Sequence, residues 1–87
     1  MNKDLVSQKI QQPMDYLLHC LGKKVCVELR NGHLLKGTLH AYDEHLNLLL
    51  SRVKEFTEND FDECFREMST LYIRGDTVSL VNSIYKK

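Results

Sequence analysis

The sequence predicts a mainly β fold: a strongly bent, five-stranded antiparallel open barrel with a short helix ahead of it. Three observations predict it. First, two alternating apolar runs between Val25 and Leu50 flank Asn31-Gly32, and a third follows the polar knot 42–47. A period of two marks half-buried strands, and Asn-Gly suits the positive φ of a type I′ hairpin turn. Second, Gly37 stands in the middle of the second run. A mid-strand glycine costs stability, so it marks a sharp bend or a close backbone approach. Third, two further short runs, 69–74 and 77–81, are hinged at Gly75-Asp76.

The elements follow in chain order. Residues 1–12 are mostly polar and are expected to form a flexible tail, with Leu5, Val6 and Ile10 as its one apolar stripe. Residues 13–21 form a helix. Pro13 suits its first position, and Met14, Leu17, Leu18 and Leu21 recur at the spacing of one apolar face. Asp15 and His19 suit the two ends of the helix dipole, and Gly22 ends it. The helix is expected to cover the open end of the sheet.

The first strand spans about 24–30, with Val25, Val27 and Leu29 on one face. In the second, about 33–42, Leu35, Gly37, Leu39 and Ala41 share one face, and Lys36, Thr38, His40 and Tyr42 the other. The third, about 46–54, alternates Leu46, Leu48 and Leu50 with Asn47, Leu49 and Ser51; Leu49 breaks the alternation and points to burial on both faces. An acidic insertion follows at 55–68, where Glu55, Glu58, Asp60, Asp62, Glu63 and Glu67 stand against Arg66. Asn59 is placed to cap a short helix carrying Phe61, Phe65 and Met68. The insertion reads either as a solvated loop with aromatic feet on the barrel or as a partner-specific surface. The strands near 69–74 and 77–81 end the meander as exposed edges. Apolar edges are templates for pairing with another chain. Residues 82–87 are a short tail.

Length and charge narrow the function. With 87 residues the chain is one domain, 1–87, and a chain this short buries only about 60–65% of its unfolded surface. It carries 12 Lys+Arg and 12 Asp+Glu, for a net charge of zero. That argues against a free-standing nucleic-acid binder acting by bulk charge, while leaving room for a few converging cations. Cys20, Cys26 and Cys64 form no CxxC pair. The pattern points to a reducing intracellular compartment and to three small buried hydrophobes. No apolar run approaches the ~20 residues needed to span a membrane, and the N-terminus lacks the apolar core of a signal peptide.

Catalysis finds little support. His19, His33, His40 and His45 match no metal-ligand spacing, and no nucleophile stands on a recognisable elbow. The expectation is no enzyme, no metal, no cofactor and no small-molecule substrate. Two loops carry more weight. One holds Asp43, His45 and Asn47; the other holds Arg74, Gly75 and Asp76. Both leave strands of the same direction in an up-down meander, so they are expected at the same end of the barrel. An imidazole or guanidinium stacks on a base, and a carboxamide reads a pyrimidine edge with one donor and one acceptor. Equally, Asp43, Asn47 and Asp76 have the residue types that merely fix tight turns. Residue types alone leave both readings open.

HAYDEHLNLLL, followed by LYIRGDTVSLVN, resembles the two-part signature of the Sm and Sm-like (LSm) proteins. The first part runs from about Val25 to Leu50, with Gly37, Asp43 and Asn47 in place; the second is Leu71 to Val81, with Ile73-Arg74-Gly75. The helix beginning Pro-Met-Asp also fits. The resemblance implies the Sm fold and a ring, usually of seven subunits. In such a ring the fourth strand of one subunit pairs with the fifth of the next. Leu71, Tyr72, Ile73, Val78 and Leu80 would then serve the subunit interface. RNA would pass at the central pore. By position, His45 resembles the family's stacking residue and Asn47 its base-reading residue. Arg74, beside Gly75, resembles the residue covering the base, and Asp43 the aspartate that holds Asn47. Two departures are visible: Leu46 where Met is frequent, and Asp76, which adds a negative charge, where Cys or Asn is frequent.

The resemblance further implies other LSm subunits and RNA with a uridine-rich 3′ end as partners. It implies work in pre-mRNA splicing, through the oligouridine 3′ end of a spliceosomal small nuclear RNA, and in cytoplasmic mRNA decapping and decay. Nucleus and cytoplasm are the corresponding locations. Two rivals stand beside it: a chiefly structural ring subunit with little RNA contact, and a small barrel binding a protein peptide by strand addition.

Overall fold

The computed structural model describes residues 14–60 and 62–84. Helix α1 is described over Met14–Cys20 and is followed by β1 (Lys24–Leu29), β2 (Leu34–Tyr42), β3 (Leu48–Phe56), β4 (Arg66–Ile73) and β5 (Val78–Ser83). A 3₁₀ turn, Gly75–Thr77, joins the last two. The expectations for residues 1–12, Pro13, Phe61 and 85–87 lie outside the described residues, and Asn82 and Ser83, expected in the tail, extend β5 instead because they pair with Cys26 and Val25 of β1. The strands form one antiparallel sheet in the order β4-β3-β2-β1-β5. Only the first four strands make the expected meander. β5 crosses over to β1, with Val27 opposite Val81. The bend of the sheet brings the free edge of β1 beside the end of β4, and a three-residue turn spans the gap. β4 and β5 are therefore the two edges, as predicted.

Gly37 has the close approach expected of it. A Cβ there would lie 2.8 Å from the Ser51 carbonyl oxygen. Opposite it β3 bulges: Lys36 faces Lys54 and Thr38 faces Ser51, so two β3 residues oppose Gly37 alone. Arg52 takes φ 52° to make the bulge. A second shift, between Leu39 and Ala41, turns β2 over. Ala41 is therefore exposed and Tyr42 packs against the core, the reverse of simple alternation.

Strand β3 begins two residues later than predicted, because Leu46 takes φ 68° and Asn47 belongs to the preceding turn. Nor is β3 buried on both faces. Leu49 is half-buried on the outer face, opposite Tyr72. The 30–33 loop also differs from a type I′ turn. Gly32 alone takes positive φ there, at 93°. Its N–H donates to the Leu29 carbonyl, and Asn31 accepts from the His33 N–H.

The core joins Leu17 and Cys20 of α1 to Val25, Val27, Leu35, Leu39, Leu48, Leu50, Val53, Ile73, Val78 and Val81. Each fully buried Leu or Val contributes about 1.5–3 kcal/mol. The helix covers the barrel end by a narrower face than predicted. Leu17 and Cys20 are buried and the Tyr16 hydroxyl accepts from the Ser83 N–H, while Met14, Leu18 and Leu21 stay exposed. Gly22, at φ 79°, ends the turn and donates to the Leu39 carbonyl. The cysteines are not uniformly buried: Cys20 is, Cys26 and Cys64 only partly.

The acidic insertion is shorter than 55–68. β3 runs to Phe56 and β4 starts at Arg66. No helix forms over the described residues of 57–65. Asp60 rather than Asn59 organises the turn, accepting from the Asp62 and Glu63 amides. Glu55 is no solvated acid. It is 6% exposed, accepting from Arg66 at 2.9 and 3.1 Å and sharing a 2.6 Å hydrogen bond with His33 Nδ1. Burial raises the carboxyl's pKa, but the His33 and Arg66 bonds outweigh it and hold the pKa below the usual range. Phe65 stands edge-on to His33, 59% exposed, so it is no foot in the core.

Candidate nucleic-acid interface

The loop from Asp43 to Asn47 is built on one carboxylate. Asp43 Oδ1 accepts from the His45 and Asn47 backbone N–H groups at 2.9 and 3.0 Å. Its Oδ2 accepts from Asn47 Nδ2 at 2.8 Å. These bonds, the Asn47 side chain first, hold the Asp43 carboxyl below its usual pKa. The arrangement is an Asx-type turn extended by one side chain.

Asn47 then joins the two loops. Its Oδ1 accepts from the Gly75 N–H at 2.7 Å. Gly75 fits because it lacks a Cβ: one built there would collide with the His45 carbonyl and come within 2.9 Å of the Leu46 carbonyl carbon. The two loops therefore meet at one end of the barrel, as predicted. The carboxamide is held at both ends, yet keeps one N–H and one oxygen lone pair uncommitted. Those are the two groups needed to read a pyrimidine edge, in an order the clamp prevents from flipping.

Arg30, His45, Leu46, Asn47, Arg74, Gly75, Asp76 and Val78 line an open hollow of about 430 Å³. The His45 side chain is 75% exposed, and its Nε2 lies 3.6 Å from Glu44 Oε2. Arg74 is 73% exposed and pairs with Asp76 at 2.7 Å. Asp76 thus offsets the charge of Arg74. Sequence reasoning missed Arg30. Its Nε donates to the Asp76 carbonyl at 2.9 Å, and its N–H donates to the Thr77 carbonyl. Its place just before Asn31-Gly32 was the available signal, but only the β1–β5 pairing carries it to this loop.

The expected interface residues divide. Ile73 and Val78 are buried in the chain's own core, Leu71 and Leu80 are half-buried, and Tyr72 is 61% exposed. The four histidines do not converge. His33 meets Glu55, His40 meets Ser51, and no group of potential metal ligands occurs among the described residues.

Residues 15–83 match the model of the LSM domain. The chain belongs to the LSM family. Among its relatives, the LSM complex subunit lsm3 of Schizosaccharomyces pombe is 35% identical over 85 residues, covering 86% of this chain and 91% of that one. The probable U6 snRNA-associated Sm-like protein LSm3 of Dictyostelium discoideum is 34% identical over 83 residues, covering 84% and 86%. In its HAYDEHLN and IRGDTV segments and its acidic insertion this chain resembles the same, third type of LSm subunit. The solved Sm protein of Pyrococcus abyssi in complex with a uridine heptamer superposes with a TM-score of 0.77 at 30% identity, covering 85% of this LSM chain and all of that one.

Proposed function

We propose that this LSM-domain chain, a single domain over 1–87, is an RNA-binding subunit of a heteroheptameric LSm ring that takes uridine-rich 3′ ends. The observation that carries the reading is Asn47, clamped between Asp43 and Gly75 beside an exposed imidazole and guanidinium. His45 stacks on a base, Asn47 reads its edge and Arg74 covers it. The names of the relatives, an LSM complex subunit and a U6 snRNA-associated protein, support ring membership and a spliceosomal small nuclear RNA as target. The uridine heptamer bound by the archaeal Sm protein supports uridine as the base. The ring then serves splicing in the nucleus and mRNA decapping and decay in the cytoplasm. The role is one of binding and assembly, without catalysis.

The Arg74–Asp76 ion pair favours a second reading, a subunit that holds the ring together over an empty pocket. His45→Ala separates the two, since no backbone bond depends on its ring. In an assembled ring it is expected to cost about 1 kcal/mol or more of oligouridine affinity through lost stacking, while assembly and Tm stay as in the parent. Unchanged affinity would leave the structural reading standing. Asn47→Ala is expected to reduce uridine preference as well, with ring integrity checked because Asn47 also ties the loops.

A further inference from the structure

The charges of this neutral chain are unevenly spread, and Arg30 and Arg74 share the pore-loop end with acids. Asp43, Glu44 and Asp76 lie at the pore-loop end, and Glu58, Asp60, Asp62 and Glu63 in the insertion. The outer face of the sheet carries four cations, Lys24, Lys36, Arg52 and Lys54, against two acids, Glu28 and Glu67. Lys36 of β2 stands directly opposite Lys54 of β3. Lys24 of β1 lies one row along, opposite Thr38, and Arg52 projects from the β3 bulge. Like charges placed directly opposite one another in a sheet are destabilising. Lys24, Arg52 and Lys54 have no ion pair among the described residues, and Lys36 lies over the Phe56 ring, 5.0 Å from its centroid. Glu67, the cross-strand neighbour of Lys54, forms no ion pair with it.

Arg52 adds a second, independent observation. It is one of two non-glycine residues with positive φ among those described; the other, Leu46, shapes the pore loop. Such conformations collect at binding sites because they re-aim a side chain at a conformational cost. The β3–β4 ladder passes from Ser51–Thr70 to Val53–Met68 and skips Arg52 and Ser69. At that break lies an open hollow of about 490 Å³ lined by Arg52, Val53, Lys54, Glu67, Met68 and Ser69. Two cations, a hydroxyl and the Glu67 carboxylate border this concave site.

We propose that the outer face of β1–β3, centred on Lys36, Arg52 and Lys54, is a second RNA-contact surface that holds backbone phosphates of a strand extending beyond the pore. The contact is electrostatic and reads no base; phosphate contacts position the strand, and the pore loops specify it. The proposal rests on the chain being an RNA-binding subunit, and its test keeps the two apart.

The test uses the assembled ring, a seven-nucleotide oligouridine, and a longer RNA with the same uridine 3′ end. The variant combines Lys36→Gln, Arg52→Gln and Lys54→Gln; a companion carries Lys36→Arg and Lys54→Arg. The triple variant is expected to bind the short RNA within twofold of the parent. It should bind the longer RNA at least fivefold more weakly, with a salt slope shallower by about 1–2, since each phosphate contact on a single strand contributes about 0.7. The arginine companion should behave as the parent does. Parent-like binding of both RNAs by the triple variant would overturn the proposal and leave a solvated face. An equal loss for both RNAs would also overturn it, by placing the effect at the pore. So would unchanged RNA binding with loss of binding to a polyglutamate probe, which would make the partner an acidic protein. Failure of the pore reading shows separately, as parent-like binding of the short RNA by His45→Ala.

Discussion

Asp43 governs the pore loop although it lies at the surface. Three of its hydrogen bonds are to His45 and Asn47, and all favour the ionised carboxylate. Its pKa is lowered from the usual 3.8, so the unfolded chain binds the proton more tightly. The stabilisation is complete above 3.8 and is lost as pH falls through the lower folded value. Oligouridine binding is therefore expected to fall on the acid side only below pH 3.8, and Asp43→Asn to weaken binding at neutral pH while flattening that acid limb. A titration of affinity against pH for both proteins checks this; parallel acid limbs would remove Asp43 from the argument. Asp76 acts the other way. Its pair with Arg74 is exposed, and such pairs are worth only about 0.2–1 kcal/mol. Asp76→Asn is expected to release Arg74 and tighten oligouridine binding about two- to fivefold, most at low salt, as read by fluorescence anisotropy. Weaker binding would mean that the pair positions Arg74 rather than neutralising it.

At the scale of elements, alternation located the strands and their faces as far as each bulge, but not beyond it. The bulges at Arg52 and near Ala41 depend on the partner strand, so parity in one strand cannot announce them. Each single-residue shift reversed the residues beyond it, which is why Tyr42 and Ala41 exchanged places. In the sequence Glu55 looks like one more of six acids because its partners, His33 and Arg66, come from different parts of the chain. The loop pair was legible because Asx chemistry is local and the up-down path of the first strands set which end it occupies. Gly37 was legible too, since few residues other than glycine interrupt a strand for steric reasons. Gly37→Ala is expected to destabilise the chain by about 1–3 kcal/mol, because the group it meets is the Ser51 backbone carbonyl and cannot rotate away. In urea unfolding the midpoint should fall with little change in slope. An unchanged midpoint would show that the two strands can separate there without cost.

In the molecule as a whole, no further strand lies beyond β4 or β5 among the described residues, and the pocket is too small to act alone. β4 offers Leu71 and the 61% exposed Tyr72, and β5 offers the half-buried Leu80. Open edges of this kind pair with a further strand unless something blunts them. One stacked and edge-read base contributes about 1–3 kcal/mol, which is millimolar binding or weaker for a lone subunit. Several such pockets at fixed spacing raise the affinity through effective concentration, by about 10²–10⁴. Assembly and RNA binding should therefore fail together. The chain is expected not to persist as a folded monomer at micromolar concentration, as read by light scattering and native mass spectrometry. Leu71→Glu on the β4 edge and Leu80→Glu on the β5 edge place charges where a neighbour would pack. Each is expected to shift the population toward monomer and to weaken oligouridine binding at least a hundredfold, although neither residue lies in the pore hollow. A folded monomeric variant that still bound oligouridine like the assembled parent would show that one pocket suffices, and the ring would lose its role in affinity.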